Sequence, residues 1–184
     1  AMGERMRWGF WERGSFLLTA ELAGAHSLEA LLGSQPVMSF STRARLARRV
    51  GLLARRLHRA GLVHRDFYLG HIYLQGSLEG AYQLHLLDLQ RVCAGAQPGN
   101  RWSVKDLCAL QFSSRPIAAI GNGDRLRCLL AYFNVSSLTP RLRRFSRRVL
   151  EKNVRVARHT EKLLARRRAR GELPPLSSQP LSLT

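Results

Sequence analysis

The segment that decides the fold reads His64-Arg65-Asp66-Phe67-Tyr68-Leu69-Gly70-His71-Ile72-Tyr73-Leu74. After a turn, the chain continues with Tyr82-Gln83-Leu84-His85-Leu86-Leu87-Asp88. The apolar runs predict two strands, and the glycines between them predict the turn of an antiparallel hairpin. In such a hairpin the start of the first strand lies beside the end of the second. We therefore expect His71 to lie near Asp88, with Asp66 just upstream in the same neighbourhood.

Two carboxylates and an imidazole at one end of a small sheet suit metal-assisted phosphoryl transfer. One carboxylate orients and deprotonates the attacking hydroxyl, and the other holds Mg²⁺ against the phosphate oxygens. His-Arg-Asp alone is a weak signal. When a polar residue stands five positions after the Asp, and a hairpin ending in a second Asp follows, the order matches the catalytic loop of kinases.

Two further stretches extend this pattern: Leu86-Leu87-Asp88-Leu89-Gln90-Arg91 and Arg101-Trp102-Ser103-Val104-Lys105-Asp106-Leu107. Together with residues 64–74 they resemble the lipopolysaccharide core kinases, which are the heptose and 3-deoxy-manno-octulosonic acid (Kdo) kinases of Gram-negative bacteria. The likeness covers roughly residues 4–115. It implies a protein-kinase-like fold, ATP as the phosphate donor, Mg²⁺, and a sugar hydroxyl of the lipopolysaccharide inner core as the acceptor.

The resemblance also implies a set of site residues. Asp66 would be the catalytic base and Asp88 the metal ligand. His71 stands where the general kinase pattern has Asn, and its role is open between a metal contact and a structural one. The carbonyl of Glu21 and the amide of Ala23 would meet adenine at the hinge, and Asp106 would anchor the catalytic loop to a core helix.

We predict an α+β fold class, namely the mainly helical C-terminal lobe of a protein-kinase-like fold with a small catalytic hairpin, preceded by a remnant of the N-lobe sheet. Four parts are expected: an N-lobe remnant with two strands and the hinge (1–22), the catalytic lobe (23–139), a basic helix (140–171) and a flexible tail (172–184). The two N-terminal strands are predicted at 6–11 and 15–22, with a tight turn at Glu12-Arg13-Gly14.

Helical periodicity and capping residues place the main helices of the catalytic lobe. Residues 42–60 carry apolar side chains at helical spacing, and Gly61 follows as a stop. Another helix is expected from about residue 103, and a third at 124–133 with Asp124 as its N-cap. Thr139 and Pro140 are a typical start for the long basic helix, which we expect to end near residue 169.

Three kinase features are missing from these residues: a Gly-rich phosphate loop, a strand lysine and its partner Glu. The chain thus resembles a family member that lacks most of the N-terminal lobe, either as a fragment or as a degenerate member. A second hypothesis is therefore a non-catalytic protein that binds nucleotide or lipopolysaccharide. A small-molecule kinase of the aminoglycoside or choline type also stays open.

The charge of the chain indicates a polyanionic partner. The net charge is +18, and residues 141–170 hold thirteen basic side chains against Glu151 and Glu161. The predicted basic helix would face anionic lipid and phosphorylated sugar, nucleic acid, or solvent alone. We expect the protein in the cytoplasm, peripheral at the inner face of the inner membrane. Nucleic acid is the less favoured partner, but a basic nucleic-acid-binding domain is a third hypothesis.

Length, hydrophobic content and cysteine spacing limit the class of protein. The chain has 184 residues and is 45% hydrophobic, so it is able to bury a core. Three widely spaced cysteines, Cys93, Cys108 and Cys128, argue against a disulfide framework and for a reducing compartment. No secretory signal is evident, and no apolar run approaches the ~18 residues of a membrane span.

Overall fold

The computed structural model describes residues 2–6, 13–17, 20–34 and 38–172. The described strands are β1 (Met2–Met6), β2 (Arg13–Leu17), β3 (Ala25–Ser27), β4 (Leu62–Val63), β5 (Ile72–Gly76), β6 (Tyr82–Leu86) and β7 (Cys93–Ala94). The described helices are α1 (Leu28–Ser34), α2 (Phe40–Arg59), α3 (Arg101–Ser114), α4 (Asn122–Phe133) and α5 (Pro140–Ala169). This mainly helical structure with small sheets has the predicted α+β class.

The N-terminal strands pair as an antiparallel hairpin, but their bounds differ from the predicted ones. Met6 pairs with Arg13, so Arg13 and Gly14 belong to β2 and not to a tight turn. The predicted strand at 15–22 is too long, because Ala20–Leu22 are not in a strand. There the Leu22 carbonyl accepts a hydrogen bond from the Ala25 amide, and Gly24 has a φ of 67°. This turn breaks the apolar run before β3. Most of the predicted strand at 6–11 lies outside the described residues.

The hairpin formed by β5 and β6 has the predicted form. In the three-stranded sheet β3-β5-β6, Ile72 at the start of β5 pairs with Leu86 at the end of β6. Gly76 adopts a φ of 108°, which only glycine tolerates well, and lets the chain reverse. β3 pairs with the other edge of β5, Ala25 opposite Gln75. The sheet therefore places residues 71 and 87–88 next to one another at one end.

Helix α2 crosses α4 closely at Gly51. A Cβ at this position would lie 2.2 Å from the Cys128 carbonyl oxygen, so only glycine permits the approach. Ser39 caps the start of α2 by accepting from the Thr42 amide, and Gly61 follows its end with a φ of 78°. The close crossing makes α2 and α4 one layer of the core beneath the catalytic loop.

Helices α3 and α4 begin slightly earlier than predicted, because other residues cap them. The Asn100 side chain accepts from the Trp102 and Ser103 amides at the start of α3. Asp124 lies inside α4, and its carboxylate accepts from the Gly121 amide at 3.0 Å. Asp124 therefore stabilises the helix start from the third position of the helix, so its predicted N-cap role is wrong.

Helix α5 begins as predicted, with the Thr139 hydroxyl accepting from the Leu142 amide. Its first half packs on the core through Leu142, Phe145, Val149 and Asn153. Beyond Asn153 no described residue of the helix is buried. No helix among the described residues is long and apolar enough to cross a membrane. The four-part division of the chain stays a prediction.

Candidate active site

A buried carboxylate holds the loop that precedes the hairpin. Asp106, on α3, is fully buried, and its two oxygens accept from the backbone amides of His64 and Arg65, each at 2.8 Å. Arg65 adopts a left-handed φ of 73°, an uncommon conformation for a side chain of this size. Charge-assisted hydrogen bonds are stronger than neutral ones, so Asp106 fixes this strained turn. The loop before Asp66 is thereby tied to a core helix, at the position the resemblance implied.

The same carboxylate continues into a buried polar network. Asp106 Oδ2 lies 3.1 Å from His58 Nε2, and His58 Nδ1 lies 2.8 Å from the Tyr132 hydroxyl. Burial raises the pKa of Tyr132 to about 12, so its hydroxyl keeps its proton. Three helices, α2, α3 and α4, thus meet at hydrogen-bonded side chains directly under the loop.

A second set of contacts joins the loop to the end of the hairpin. His64 Nε2 donates to the Leu87 carbonyl at 3.0 Å, and the Leu87 amide donates to the His71 carbonyl at 2.9 Å. Leu87 is therefore held from both sides, and the next residue, Asp88, has a left-handed backbone with φ 58° and ψ 56°. The position of the Asp88 carboxylate depends on the same segment that carries Asp66.

His71 lies between the two acidic residues. Its Nδ1 is 2.7 Å from the backbone carbonyl of Asp66, and its Nε2 is 3.6 Å from Oδ2 of Asp88. Because a carbonyl oxygen only accepts, Nδ1 carries the hydrogen, and in the neutral ring Nε2 presents a lone pair towards the Asp88 carboxylate. Two lone-pair donors that face each other are stabilised by a shared cation. The structure thus places His71 between the Asp66 backbone and the Asp88 carboxylate, as the hairpin predicted, and we call this region the acidic cleft.

These donors fit a magnesium ion in part. Magnesium prefers oxygen and is usually held by one or two carboxylates together with water and substrate phosphates. Asp88, 42% exposed, is open enough for this role, and a metal-bound His commonly donates its other N–H to a carbonyl, as His71 does. In the part of the chain that the structure describes, no group of three or more His, Cys, Asp or Glu side chains is placed to hold a metal.

Asp66 is paired with an arginine that the sequence reasoning did not single out. Arg91 Nη1 lies 2.9 Å from both carboxylate oxygens of Asp66. The Arg91 side chain is 53% exposed and the Asp66 side chain only 16%. The guanidinium is therefore the more exposed partner and lies on the solvent side of the carboxylate. Only the quoted motif, which ends at Arg91, could have pointed to this residue.

The predicted hinge residues lie in the segment that leads into β3. Glu21 and Ala23 are both exposed, and the Ala23 carbonyl accepts from the Gln75 side chain at 3.1 Å. Ala25 pairs with Gln75, which is four residues along β5 from His71, or about 13 Å at ~3.3 Å per residue. The hinge segment therefore lies across the sheet from the acidic cleft, and the structure does not bring it into contact with the cleft residues.

Comparisons with known proteins agree with this architecture. The model of the lipopolysaccharide kinase (Kdo/WaaP) family matches residues 2–132. The lipopolysaccharide core heptose(I) kinase WaaP of Escherichia coli strain K12 is 32% identical over 139 residues, which cover 69% of this chain and 52% of that protein. WaaP of Pseudomonas aeruginosa PAO1 is 35% identical over 126 residues, 65% of this chain and 46% of that protein.

A solved structure is similar over a larger part of the chain. It is described as WaaP in complex with acyl carrier protein, and it matches with a TM-score of 0.65 and 32% identity. The match covers 88% of this chain and 66% of that one. The chain spans about half the length of the kinases with which its sequence aligns.

Proposed function

The chain belongs to the lipopolysaccharide kinase (Kdo/WaaP) family, and from that premise we propose that it forms the catalytic lobe of an ATP-dependent kinase. The acceptor is a sugar hydroxyl of the lipopolysaccharide inner core, on heptose or Kdo. The observation that carries the proposal is the position of His71, which contacts the Asp66 backbone and faces the Asp88 carboxylate. This arrangement holds a candidate base and a candidate metal ligand in one cleft.

Asp66 would act on the acceptor hydroxyl. Its carboxylate is mostly covered, its side-chain partner among the described residues is the exposed Arg91, and its backbone carbonyl is held by His71 and by the Tyr68 amide. When the acceptor arrives, one carboxylate oxygen accepts the hydroxyl proton while Arg91 keeps the other. The positive charge of Arg91, beside this carboxylate, would then stabilise the negative charge that develops on the transferred phosphate.

Asp88 would hold Mg²⁺, with His71 Nε2 as a neighbouring donor. The ion, when bound, supplies positive charge to the phosphate oxygens of ATP. Adenine would meet the backbone of Glu21 and Ala23. The separation of about 13 Å between the hinge side of the sheet and His71 suits an elongated nucleotide lying along β5.

The test is phosphate transfer from ATP to purified inner-core lipopolysaccharide by the protein in its full natural reading frame. Asp66→Ala should lower the transfer rate by about 10²–10⁴, the contribution of a general base. Glu172→Gln, which removes an exposed carboxylate beyond α5, is the matched control and should leave the rate unchanged. Wild-type rates in the Asp66 variant would refute the assignment. Nucleotide binding without transfer by the wild type would favour the non-catalytic alternative.

We also propose that the second half of α5 holds the protein at an anionic membrane, peripheral at the inner face of the inner membrane. From Val154 onward the helix is not buried, and Val154 and Leu163 are exposed at 47% and 44%. The same stretch carries a dense set of cations: Arg155, Arg158, Lys162, Arg166, Arg167, Arg168 and Arg170. Each such side chain near an anionic surface contributes about 1 kcal/mol, and exposed apolar side chains favour lipid over nucleic acid.

Vesicle flotation tests this localisation. The chain should float with vesicles that contain phosphatidylglycerol and not with pure phosphatidylcholine. Replacing Arg158, Lys162 and Arg166 by Gln should abolish flotation. Replacing the exposed Arg48, Arg56 and Arg59 of α2 in the same way is the matched control and should preserve it. Equal loss of flotation in both triple variants would show that the total charge, and not α5, is responsible. Tight binding of DNA through α5 would favour the nucleic-acid alternative.

An apolar cavity supports a partner proposal. The cavity has a volume of about 420 Å³ and is lined by residues of all five helices, among which leucine is the most frequent residue type. The structural neighbour is WaaP in complex with acyl carrier protein. We propose that this chain likewise binds an acyl carrier protein and that the acyl chain enters the cavity, where it would remove apolar surface from water.

A cavity-filling variant tests this partner. Ala47 lines the cavity and is partly buried, so Ala47→Phe would occupy space that the acyl chain needs. Acylated carrier protein should raise the thermal midpoint of the wild type but not of the variant. The carrier protein without its acyl group should have the smaller effect on the wild type. Equal shifts with both forms of the carrier would contradict a role for the cavity.

A further inference from the structure

An open groove lies beside the acidic cleft. Its volume is about 750 Å³. Its walls come from Tyr68, Gly70 and His71 of the catalytic loop, from Glu29 of α1, and from Phe112, Ser113, Arg115 and Pro116 at and just after the end of α3. The Tyr68 amide donates to the Asp66 carbonyl at 2.9 Å, and His71 Nδ1 contacts the same oxygen. The groove therefore begins at the residues that hold Asp66. None of its walls comes from the proposed hinge segment.

One wall of the groove is an exposed aromatic ring. Tyr68 is two residues after Asp66, and 37% of its surface is exposed, although most large apolar side chains of this loop are buried. Burial of its hydroxyl raises the pKa of Tyr68, and the nearby Asp66 charge raises it further, so the phenol stays protonated beside the carboxylate. A half-exposed ring with a hydroxyl at its edge offers both an apolar face and a hydrogen bond. These are the two contacts that a sugar ring needs.

Another wall of the groove carries a carboxylate that approaches the loop backbone. A Cβ on Gly70 would lie 2.7 Å from Glu29 Oε2, so the absence of a side chain at Gly70 makes room for this carboxylate. Among the described residues Glu29 is in no ion pair. A carboxylate without a cationic partner is an acceptor for hydroxyl groups of a ligand.

A cation lies at the rim of the groove. Arg115 follows α3 and is exposed, and within the described ranges it is in no ion pair. Its charge also reaches Arg125: burial is the first cause that lowers the pKa of Arg125, and repulsion from Arg115 is the second. Two guanidinium groups are therefore close enough to repel each other. An anionic group bound at this rim would relieve that repulsion.

We propose that this groove is the acceptor subsite and that it selects a sugar bearing an anionic substituent. The sugar ring packs on Tyr68, a ring hydroxyl donates to Glu29, and a carboxylate or phosphate on the sugar pairs with Arg115. The identity of the groove as an acceptor site rests on the proposed kinase function, whereas its preference for an anionic sugar rests on the three side chains. The neighbouring Asp66 would then receive the proton of the hydroxyl that is phosphorylated.

Saturation-transfer NMR on the full chain tests the binding preference without any need for catalysis. The probes are Kdo, which carries a carboxylate, mannose 6-phosphate, which carries a phosphate, and methyl mannoside, which is neutral. We expect the anionic sugars to bind about tenfold more tightly than the neutral one, as one charged contact provides. The difference between the first two probes shows which anion the rim prefers. Equal binding of all three, or binding of none at millimolar concentration, would overturn the proposal.

Variants assign the preference to the named side chains. Arg115→Gln should remove the tenfold preference while neutral binding remains, and Tyr68→Ala should weaken all three sugars. Arg143→Gln removes an exposed arginine of α5 far along the chain and is the matched control, which should keep the wild-type preference. Both test residues are exposed, and unchanged thermal midpoints would show that the variants are folded. A preference that survives in Arg115→Gln contradicts the role of the rim.

A kinase assay separates the failure of this inference from the failure of the proposed function. If the protein transfers phosphate, Arg115→Gln should raise the KM for the lipopolysaccharide acceptor about tenfold more than the KM for ATP. Transfer with equal changes in both constants would refute the subsite and leave the kinase function standing. Anionic sugar binding without phosphate transfer would support the subsite and refute the kinase function.

Discussion

The loop that carries Asp66 is bordered by aspartates of two kinds. Asp106 lies below the loop, Asp66 and Asp88 lie above it, and the two kinds are held in different ways. Asp106 is fully buried and accepts from two backbone amides, with a His58 ring nitrogen as a third contact. Asp66 and Asp88 are partly exposed, and their side-chain partners are Arg91 and His71, which are themselves in contact with solvent. The carboxylate of Asp106 thus anchors the loop from below, whereas the carboxylates of Asp66 and Asp88 are able to exchange their partners for a ligand.

This difference separates structural from chemical roles. A fully buried carboxylate is out of reach of a substrate, and its removal leaves several buried donors without acceptors. A carboxylate whose partner is an exposed arginine loses little when the pair opens. We therefore expect the stability of the fold to depend on Asp106, the lower set. Activity should depend on Asp66 and Asp88 with their partners Arg91 and His71, the upper set.

Removal of the anchor is the largest effect we expect. Asp106→Ala leaves the His64 and Arg65 amides and the His58 ring without their acceptor, so the free energy of unfolding should fall by about 3–5 kcal/mol. Urea unfolding followed by circular dichroism measures this change. Asp66→Ala is the control from the upper set, and its unfolding free energy should change by less than about 1 kcal/mol. Equal losses in the two variants would remove the distinction between the sets.

Removing the Tyr132 hydroxyl, at the end of the buried network, should lower the free energy of unfolding by an intermediate amount that depends on pH. Tyr132→Phe leaves His58 Nδ1 without its partner and should cost about 1–2 kcal/mol at pH 8. Burial raises the pKa of Tyr132 from 10.0 to about 12, whereas an unfolded tyrosine ionises near 10. The stability that depends on the neutral phenol is therefore complete below pH 10 and is lost as the pH rises towards 12.

The wild type should accordingly lose more stability between pH 8 and pH 11 than Tyr132→Phe does, by about 1 kcal/mol. Burial also raises the pKa of Cys128 to about 12, so both proteins retain part of the alkaline loss. Tyr68→Phe, at a half-exposed ring, is the comparison and should stay closer to the wild-type slope. Parallel pH profiles for wild type and Tyr132→Phe would show that the Tyr132 hydroxyl ionises as easily in the fold as in water.

The smallest change in the free energy of unfolding should come from removing Arg91, a partner in the upper set. Arg91→Ala removes the ion pair with Asp66, but Arg91 is 53% exposed, so the free energy of unfolding should change by less than about 1 kcal/mol. The pair should also be sensitive to salt. A loss as large as that of Asp106→Ala would show that Arg91 is a structural residue, in conflict with the role we give it in phosphate transfer.

The parts of the fold that follow from local patterns were predictable from sequence. The hairpin follows from two apolar runs around a glycine turn, and the start of α5 follows from Thr139 and Pro140. Helix ends shifted where a side chain outside the periodic segment made the cap, as Asn100 does for α3. The predicted strand at 15–22 was too long because a continuous apolar run does not show where strand pairing ends, and residues 20–22 lie outside β2 just before the turn at Gly24.

The site was predictable only where residues are close in sequence. Asp66, His71 and Asp88 are joined by one hairpin, so their proximity follows from its register. The contact between His58 and Tyr132 joins two different helices, 74 positions apart, and neither residue stands out in its own helix. Glu29 reaches the groove from α1 and Arg115 from the residue after α3, and no local motif marks either of them. Tertiary packing alone brings such residues together.

The left-handed backbone at Asp88 restricts which residues this position tolerates among homologues. A β-branched or bulky side chain at φ 58° is strained, whereas Asn and Gly adopt this conformation at little cost. A lineage that abandons phosphate transfer should therefore drift to Asn or Gly at this position, keeping the turn and losing the carboxylate. Such replacements offer a signature by which genome surveys can separate inactive copies of this family from active ones.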